Sequence, residues 1–92
     1  MIFGEAIEAL KEGKRVARKG WNGKGIFLFI TDDAKGYERV PKFEPTREVL
    51  IAPFIAIDTT GLQTDNPHAP KSVVPWIASQ TDMLAEDWMI VD

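Results

Sequence analysis

Ninety-two residues, 45 % apolar and 27 % charged with a net charge of −3, amount to one soluble domain and leave no room for a second. The absence of cysteine excludes disulfides, thiolate metal sites and a cysteine nucleophile, and the single histidine, His68, excludes a cluster of imidazole ligands within one chain. No segment approaches the roughly 20 apolar residues of a membrane span, and Met1-Ile2-Phe3-Gly4-Glu5 lacks the basic flank of a signal peptide, so a cytoplasmic protein is expected.

Phe3, Ala6, Ile7 and Leu10 recur at helical spacing, with Glu5, Glu8, Lys11 and Glu12 off the stripe and Gly13 as the stop; the spacing predicts a helix over 3–12. Residues 14–19 alternate as a strand does. If Val16 faces the core, Arg18 points to the same side, and an arginine there needs a partner because an unpaired buried charge is costly. Asn22-Gly23 is a hairpin signal, after which residues 26–30 return as a second strand.

That second strand is apolar at every position, and residues 49–57 are apolar apart from Pro53, which marks an edge or a bulge. Both faces of two such strands need cover, and one helix covers one face. A subunit interface is therefore expected, with a small barrel closing on itself as the alternative. A chain this short buries only roughly 60–65 % of its unfolded surface, so association would help it.

Residues 31–47 and 59–72 read as loop, and long loops in a small domain are commonly functional. His68, flanked by Pro67 and Pro70 with no acid at catalytic spacing, reads as a bystander. A short strand is expected from Val73 to near Ala78. Thr81 is the expected N-cap of a one- or two-turn helix over 83–86, with Asp82 in its first turn, and Trp88-Met89-Ile90-Val91 forms a last strand. The fold class is α+β: an N-terminal helix packed on a twisted, mostly antiparallel sheet, with a short helix before the C-terminal strand.

Charge is unevenly spread. Lys11, Lys14, Arg15, Arg18, Lys19 and Lys24 face one acid, Glu12, whereas Asp82, Glu86, Asp87 and Asp92 close the chain without a base. Either these are two solvated faces of opposite sign, or they serve head-to-tail subunit contacts or an anionic ligand. Two clusters join an aromatic plane to polar groups. In Arg18-Lys19-Gly20-Trp21-Asn22-Gly23 the glycines admit close backbone approach and Arg18 offers a fork for phosphate. In Trp76-Ile77-Ala78-Ser79-Gln80-Thr81-Asp82 hydroxyls, an amide and a carboxylate precede a helix. Trp21 and Trp76 are stacking faces for a base or, respectively, a turn cover and core filling; Trp88 reads as core. Ser79 to Asp82 are readers of a ligand or a helix cap.

The catalytic inventory is thin. Asp32-Asp33 and Glu86-Asp87 are adjacent pairs whose side chains diverge on a strand, and the phosphate-cradling GxxxxGK[ST] loop is absent. No catalytic residue, metal ligand or cofactor is expected. A small nucleic-acid-binding module and a nucleotide-processing enzyme are the alternatives to a binding protein; the net acidic charge speaks against nucleic acid.

Phe3-Gly4-Glu5-Ala6, Val16-Ala17-Arg18-Lys19-Gly20-Trp21-Asn22-Gly23-Lys24 and Val74-Pro75-Trp76-Ile77-Ala78-Ser79-Gln80-Thr81-Asp82-Met83-Leu84-Ala85-Glu86-Asp87-Trp88 together resemble the second Thoeris anti-defence family of phage and prophage proteins. The resemblance covers both ends of the chain and is weakest over 31–72. It implies a sponge that binds, without cleaving, a cyclic nucleotide immune signal of the glycocyclic ADP-ribose type. It further implies a homotetramer with ligand pockets between subunits, in the cytoplasm of an infected or lysogenic bacterial cell. Relatives that accept cyclic oligonucleotides leave the ligand open. Carried over by position, Trp21 and Trp76 would be stacking platforms, with Arg18 and Asn22 on one side and Ser79, Gln80, Thr81 and Asp82 on the other as polar readers. Loop 59–72 would set ligand preference.

Overall fold

A computed structural model describes residues 1–21, 24–32, 34–38 and 47–91. The first helix, α1 (Phe3–Lys11), forms where the apolar stripe predicts it, and its stripe buries Ala6, Ala9 and Leu10. Glu5 reaches back to accept from the Ile2 N–H at 3.1 Å, satisfying one orphan donor of the first turn. At the other end Gly13 takes φ 86°; its N–H donates to the Leu10 carbonyl and the Lys14 N–H to Ala9, a closure that a left-handed residue permits.

Strands β1 (Arg15–Arg18), β2 (Phe27–Ile30), β3 (Ala34–Glu38), β4 (Arg47–Ile51), β5 (Ile55–Asp58), β6 (Val73–Pro75) and β7 (Trp88–Val91) follow, with the short helix α2 (Gln80–Leu84) before β7. Five strands form one antiparallel sheet in the order β6-β5-β2-β1-β7, and β3 and β4 pair as a separate ribbon. Register places Val16 beside Leu28 on one flank and Ile90 on the other, so these residues share a face. α1 covers that face. The resulting core joins Ala6, Ala9 and Leu10 to Val16, Leu28 and Trp88, each at most 6 % exposed. Burying one such aliphatic side chain contributes about 1.5–3 kcal/mol.

The opposite face carries Ala17, Phe27, Phe29, Met89 and Val91, and among the described residues no helix lies over it. Phe27, Phe29, Met89 and Val91 are accordingly only half-buried. One helix thus covers one side of the sheet, and the described residues leave the second apolar face of β2 open.

Four expectations need correction. Residues 31–47 were expected as loop, yet Ala34–Glu38 pairs along its whole length with β4, from Ala34 beside Ile51 to Glu38 beside Arg47. Pairing with a partner, not the weak intrinsic preference of Ala-Lys-Gly-Tyr-Glu, makes this strand. The apolar run 49–57 is two strands in two sheets, parted at 52–54, where Pro53 has no N–H to give a ladder. There the Phe54 N–H instead donates to Thr31 Oγ1 and the Thr31 N–H to the Phe54 carbonyl. The strand expected to end near Ala78 ends at Pro75. The N-cap of α2 is Ser79 and not Thr81, because Ser79 Oγ accepts from the Asp82 N–H at 3.1 Å while Asp82 accepts from Ser79 in return.

Candidate functional site

The strand alternation that carries Val16 into the core also carries Arg18 to the same side, and the structure supplies the partner this demands. Arg18 Nε donates to Asp87 Oδ1 at 2.8 Å and its NH1 to Asp82 Oδ1 at 2.9 Å. The guanidinium is 16 % exposed and the Asp82 carboxylate 15 %. Asp87, in the turn before β7, spends its second oxygen on the Gly20 N–H at 2.7 Å, and its carbonyl accepts from the Lys19 N–H. A Cβ at Gly20 would lie 2.8 Å from Asp87 Oδ2, so a larger residue there would displace the carboxylate from this bond.

Electrostatics follow from these bonds. Asp87, and after it Asp82, raises the Arg18 pKa above its ordinary value. The hydrogen bond from Arg18 holds the Asp87 carboxyl below the usual carboxylate range against partial burial. For Asp82 burial pushes upward most, yet donors from Arg18, Ser79 and Trp21 outweigh it and hold the carboxyl low. All three groups are charged at neutral pH.

Beside this clamp stand the tryptophans. Trp88 is 2 % exposed and donates its indole N–H to the Asp82 carbonyl at 3.0 Å. Trp21 meets it edge-on, with centroids 5.4 Å apart and an interplanar angle of 80°, and donates its own indole N–H to Asp82 Oδ1 at 3.4 Å. Trp76 meets Trp88 from another side at 6.0 Å and 83°, with Phe3 completing the group. Trp21 therefore packs against the core, and so does Trp76.

Trp21 also borders a groove of about 690 Å³ that runs over the helix-free face of the sheet. Its floor is Ala17, Phe27, Met89 and Val91, and Arg15, Lys19 and Lys24 stand along it. These three cations are exposed, and the Arg15 guanidinium lies 5.0 Å above the centre of the Phe27 ring. Among the described residues none of the three forms an ion pair. The lip at Gly25 is braced from behind by Gly61, with Lys24 bridged to Gln63 across a short antiparallel contact, so loop 59–72 is anchored to the groove.

Of the residues singled out in the sequence, Arg18, Trp21, Ser79 and Asp82 come together in one hydrogen-bonded network. Trp76 adjoins it through Trp88, whereas Gln80 and Thr81 sit exposed in the first turn of α2. Asn22 lies outside the described residues. His68 is exposed in its loop, and among the described residues no group of carboxylates and histidine is placed to hold a metal ion. Sequence reasoning missed Asp87 as the second partner of Arg18, and missed Arg15, Lys19 and Lys24 as groove residues. The alternation of β1 carried part of that signal, since Arg15 and Ala17 must face away from Val16.

Two comparisons bear on this arrangement. The sequence model of the Thoeris anti-defense 2-like domain matches residues 1–91. A relative from Bacillus phage SP01, named Thoeris anti-defense 2, is 43 % identical over 93 residues, covering 99 % of this chain and 94 % of its own length.

Proposed function

Because the chain belongs to the Thoeris anti-defense 2-like family, we propose that it acts in phage anti-defence by holding a cyclic ADP-ribose-type signal without cleaving it, so that the effector stays unactivated. The observation that carries this reading is the groove over the sheet face opposite α1, where an apolar floor and one tryptophan meet three exposed cations that form no ion pair among the described residues. Its volume of about 690 Å³ falls within the range of about 300–1,000 Å³ usual for small-molecule sites. A nucleotide offers what such a groove takes: a flat base for Trp21, or for Trp76 should a ligand reach it, and phosphates for the cations.

In this reading the chain is a single domain that works in the cytoplasm as a homo-oligomer, a tetramer by family resemblance. The half-buried Phe29, on that face but outside the groove lining, supports association, since a second copy laid beside the groove would cover apolar surface that α1 cannot reach. Gln80 and Thr81 then remain as polar readers from the exposed turn of α2, and cyclic oligonucleotides are a further ligand class.

Incubation of the purified protein with a mixture of cyclic ADP-ribose isomers and cyclic oligonucleotides, followed by washing, heat release and mass spectrometry, tests the proposal. A sponge returns its ligand with mass unchanged. Recovery of a hydrolysed or otherwise altered nucleotide makes the protein an enzyme. Retention of added linear oligonucleotides in place of the cyclic signals, with a steep salt dependence, makes it a nucleic-acid binder.

A further inference from the structure

We infer that Arg18 is a positioning residue and not an anion ligand: clamped between Asp82 and Asp87, it fixes the 18–21 turn and the Trp21 indole, and it leaves the anionic part of a ligand to Arg15, Lys19 and Lys24. The second half rests on the ligand-holding role proposed above; the first half is open to a test that needs no ligand.

Charge is the first argument. One guanidinium faces two carboxylates, so the clamp is net negative, and a phosphate approaching Arg18 would meet Asp82 and Asp87 oxygens already at 2.9 and 2.8 Å from it. In a partly buried place that repulsion is poorly screened. Two of its donors, on Nε and NH1, serve different carboxylates, which fixes the plane of the guanidinium between Asp82 and Asp87.

What the clamp does hold is backbone and one ring. Asp87 binds Gly20 through its side chain and Lys19 through its carbonyl, the Trp21 N–H donates to the Arg18 carbonyl at 3.3 Å, and the Trp21 indole donates to the same Asp82 oxygen that takes Arg18 NH1. Among the described residues, these hydrogen bonds of the turn all end on the clamp or on its arginine. Asp82 and Asp87 lie 64 and 69 residues from Arg18 along the chain, so the clamp ties the β1 end to the segment around α2 and β7. Arg18 also borders the groove, but the rim cations differ from it in exposure and pairing: Arg15, Lys19 and Lys24 are exposed and form no ion pair among the described residues, whereas Arg18 is 16 % exposed and paired with two carboxylates.

Arg18→Lys separates the two roles, because it keeps the positive charge and loses the planar fork that spans two carboxylates. Asp87→Asn attacks the clamp from a residue outside the groove lining, and the double variant Lys19→Met/Lys24→Met attacks the rim alone. Hydrogen exchange is followed by NMR at the Gly20 amide and the Trp21 indole N–H, the latter identified by its loss in Trp21→Phe. Arg18→Lys and Asp87→Asn are expected to speed both exchanges by about tenfold or more. Lys19→Met/Lys24→Met is expected to leave both unchanged while weakening capture of cyclic ADP-ribose isomers about tenfold and flattening its salt dependence. Unchanged exchange in Arg18→Lys overturns the positioning role. Unaltered affinity and salt dependence in the lysine double variant overturn the assignment of the rim. A wild-type protein that captures no such isomer overturns the ligand reading and the rim assignment with it, while the exchange data still decide for or against the clamp.

Discussion

Trp21→Ala removes a side chain with two duties, and the structure lets their sizes be compared. Against the core, Trp21 gives an edge-on contact to Trp88 at 5.4 Å, a kind of pair worth about 0.5–1.5 kcal/mol beyond area burial. Its indole bond to Asp82, at 3.4 Å, is long and adds about 0.5 kcal/mol at the weak end of the usual range. With the apolar area lost in addition, the fold should lose at least about 1–2 kcal/mol, which for a domain of this size lowers the melting temperature by about 4–16 °C or more. Toward the groove, loss of a base stack worth about 1–3 kcal/mol should weaken nucleotide capture by about 5- to 150-fold. Trp21→Phe keeps a flat ring and most of the contact, loses only the indole donor, and should fall between wild type and Trp21→Ala in both measurements. Thermal melts followed by circular dichroism, with calorimetric titration of cyclic ADP-ribose isomers well below the melting range, supply the data. A Trp21→Ala protein that melts lower but binds as wild type does would refute the stacking role. One that melts as wild type does would refute the packing contact with Trp88.

Asp82 and Asp87 are both held below the usual carboxylate pKa, so their contribution to stability is complete above the ordinary value near 3.8 and is lost as pH falls through the lower folded values; urea midpoints should hold level from neutrality to about pH 5 and drop below pH 4. The drop should be smaller in Arg18→Met, and an equal drop would mean that other carboxylates dominate. Gly25→Ala should destabilise by more than the roughly 1–2 kcal/mol of a left-handed non-glycine residue, because φ is +84° and the new Cβ would collide with the Gly61 carbonyl; an unchanged urea midpoint would show that the contact opens freely. Ser79→Ala should cost about 1 kcal/mol by uncapping α2, whereas Thr81→Ala should change the melting temperature little; the reverse order would return the cap to Thr81.

Short-range chemistry made much of the fold readable before any coordinates. The stripe Phe3, Ala6, Ile7, Leu10 and the stop at Gly13 are local signals, and α1 ends within one residue of the expected place. Alternation over Val16 and Arg18 placed both on one face and required a partner for the arginine. The Ser79-x-x-Asp82 pattern is itself a local signal, a capping box whose acid three positions on answers the cap, and it starts α2 at Ser79 and not at Thr81. Strand β3 was a different kind of miss. Its residues carry little preference for a strand, and only pairing with β4 makes them one.

Which carboxylates answer Arg18 could not be read along the chain, because Asp82 and Asp87 reach it across 64 and 69 residues and any of several acids would have met the demand. The groove was equally out of reach. Periodicity told that β2 has two apolar faces and that Arg15 and Ala17 point away from Val16. Only the strand order β6-β5-β2-β1-β7, with α1 on one side, decides which of those faces stays open and sets Arg15, Lys19, Lys24 and Trp21 around it. Sequence periodicity specifies a side chain's face relative to its neighbours along the strand, whereas the neighbours across the sheet are set by hydrogen bonding between segments far apart in the chain.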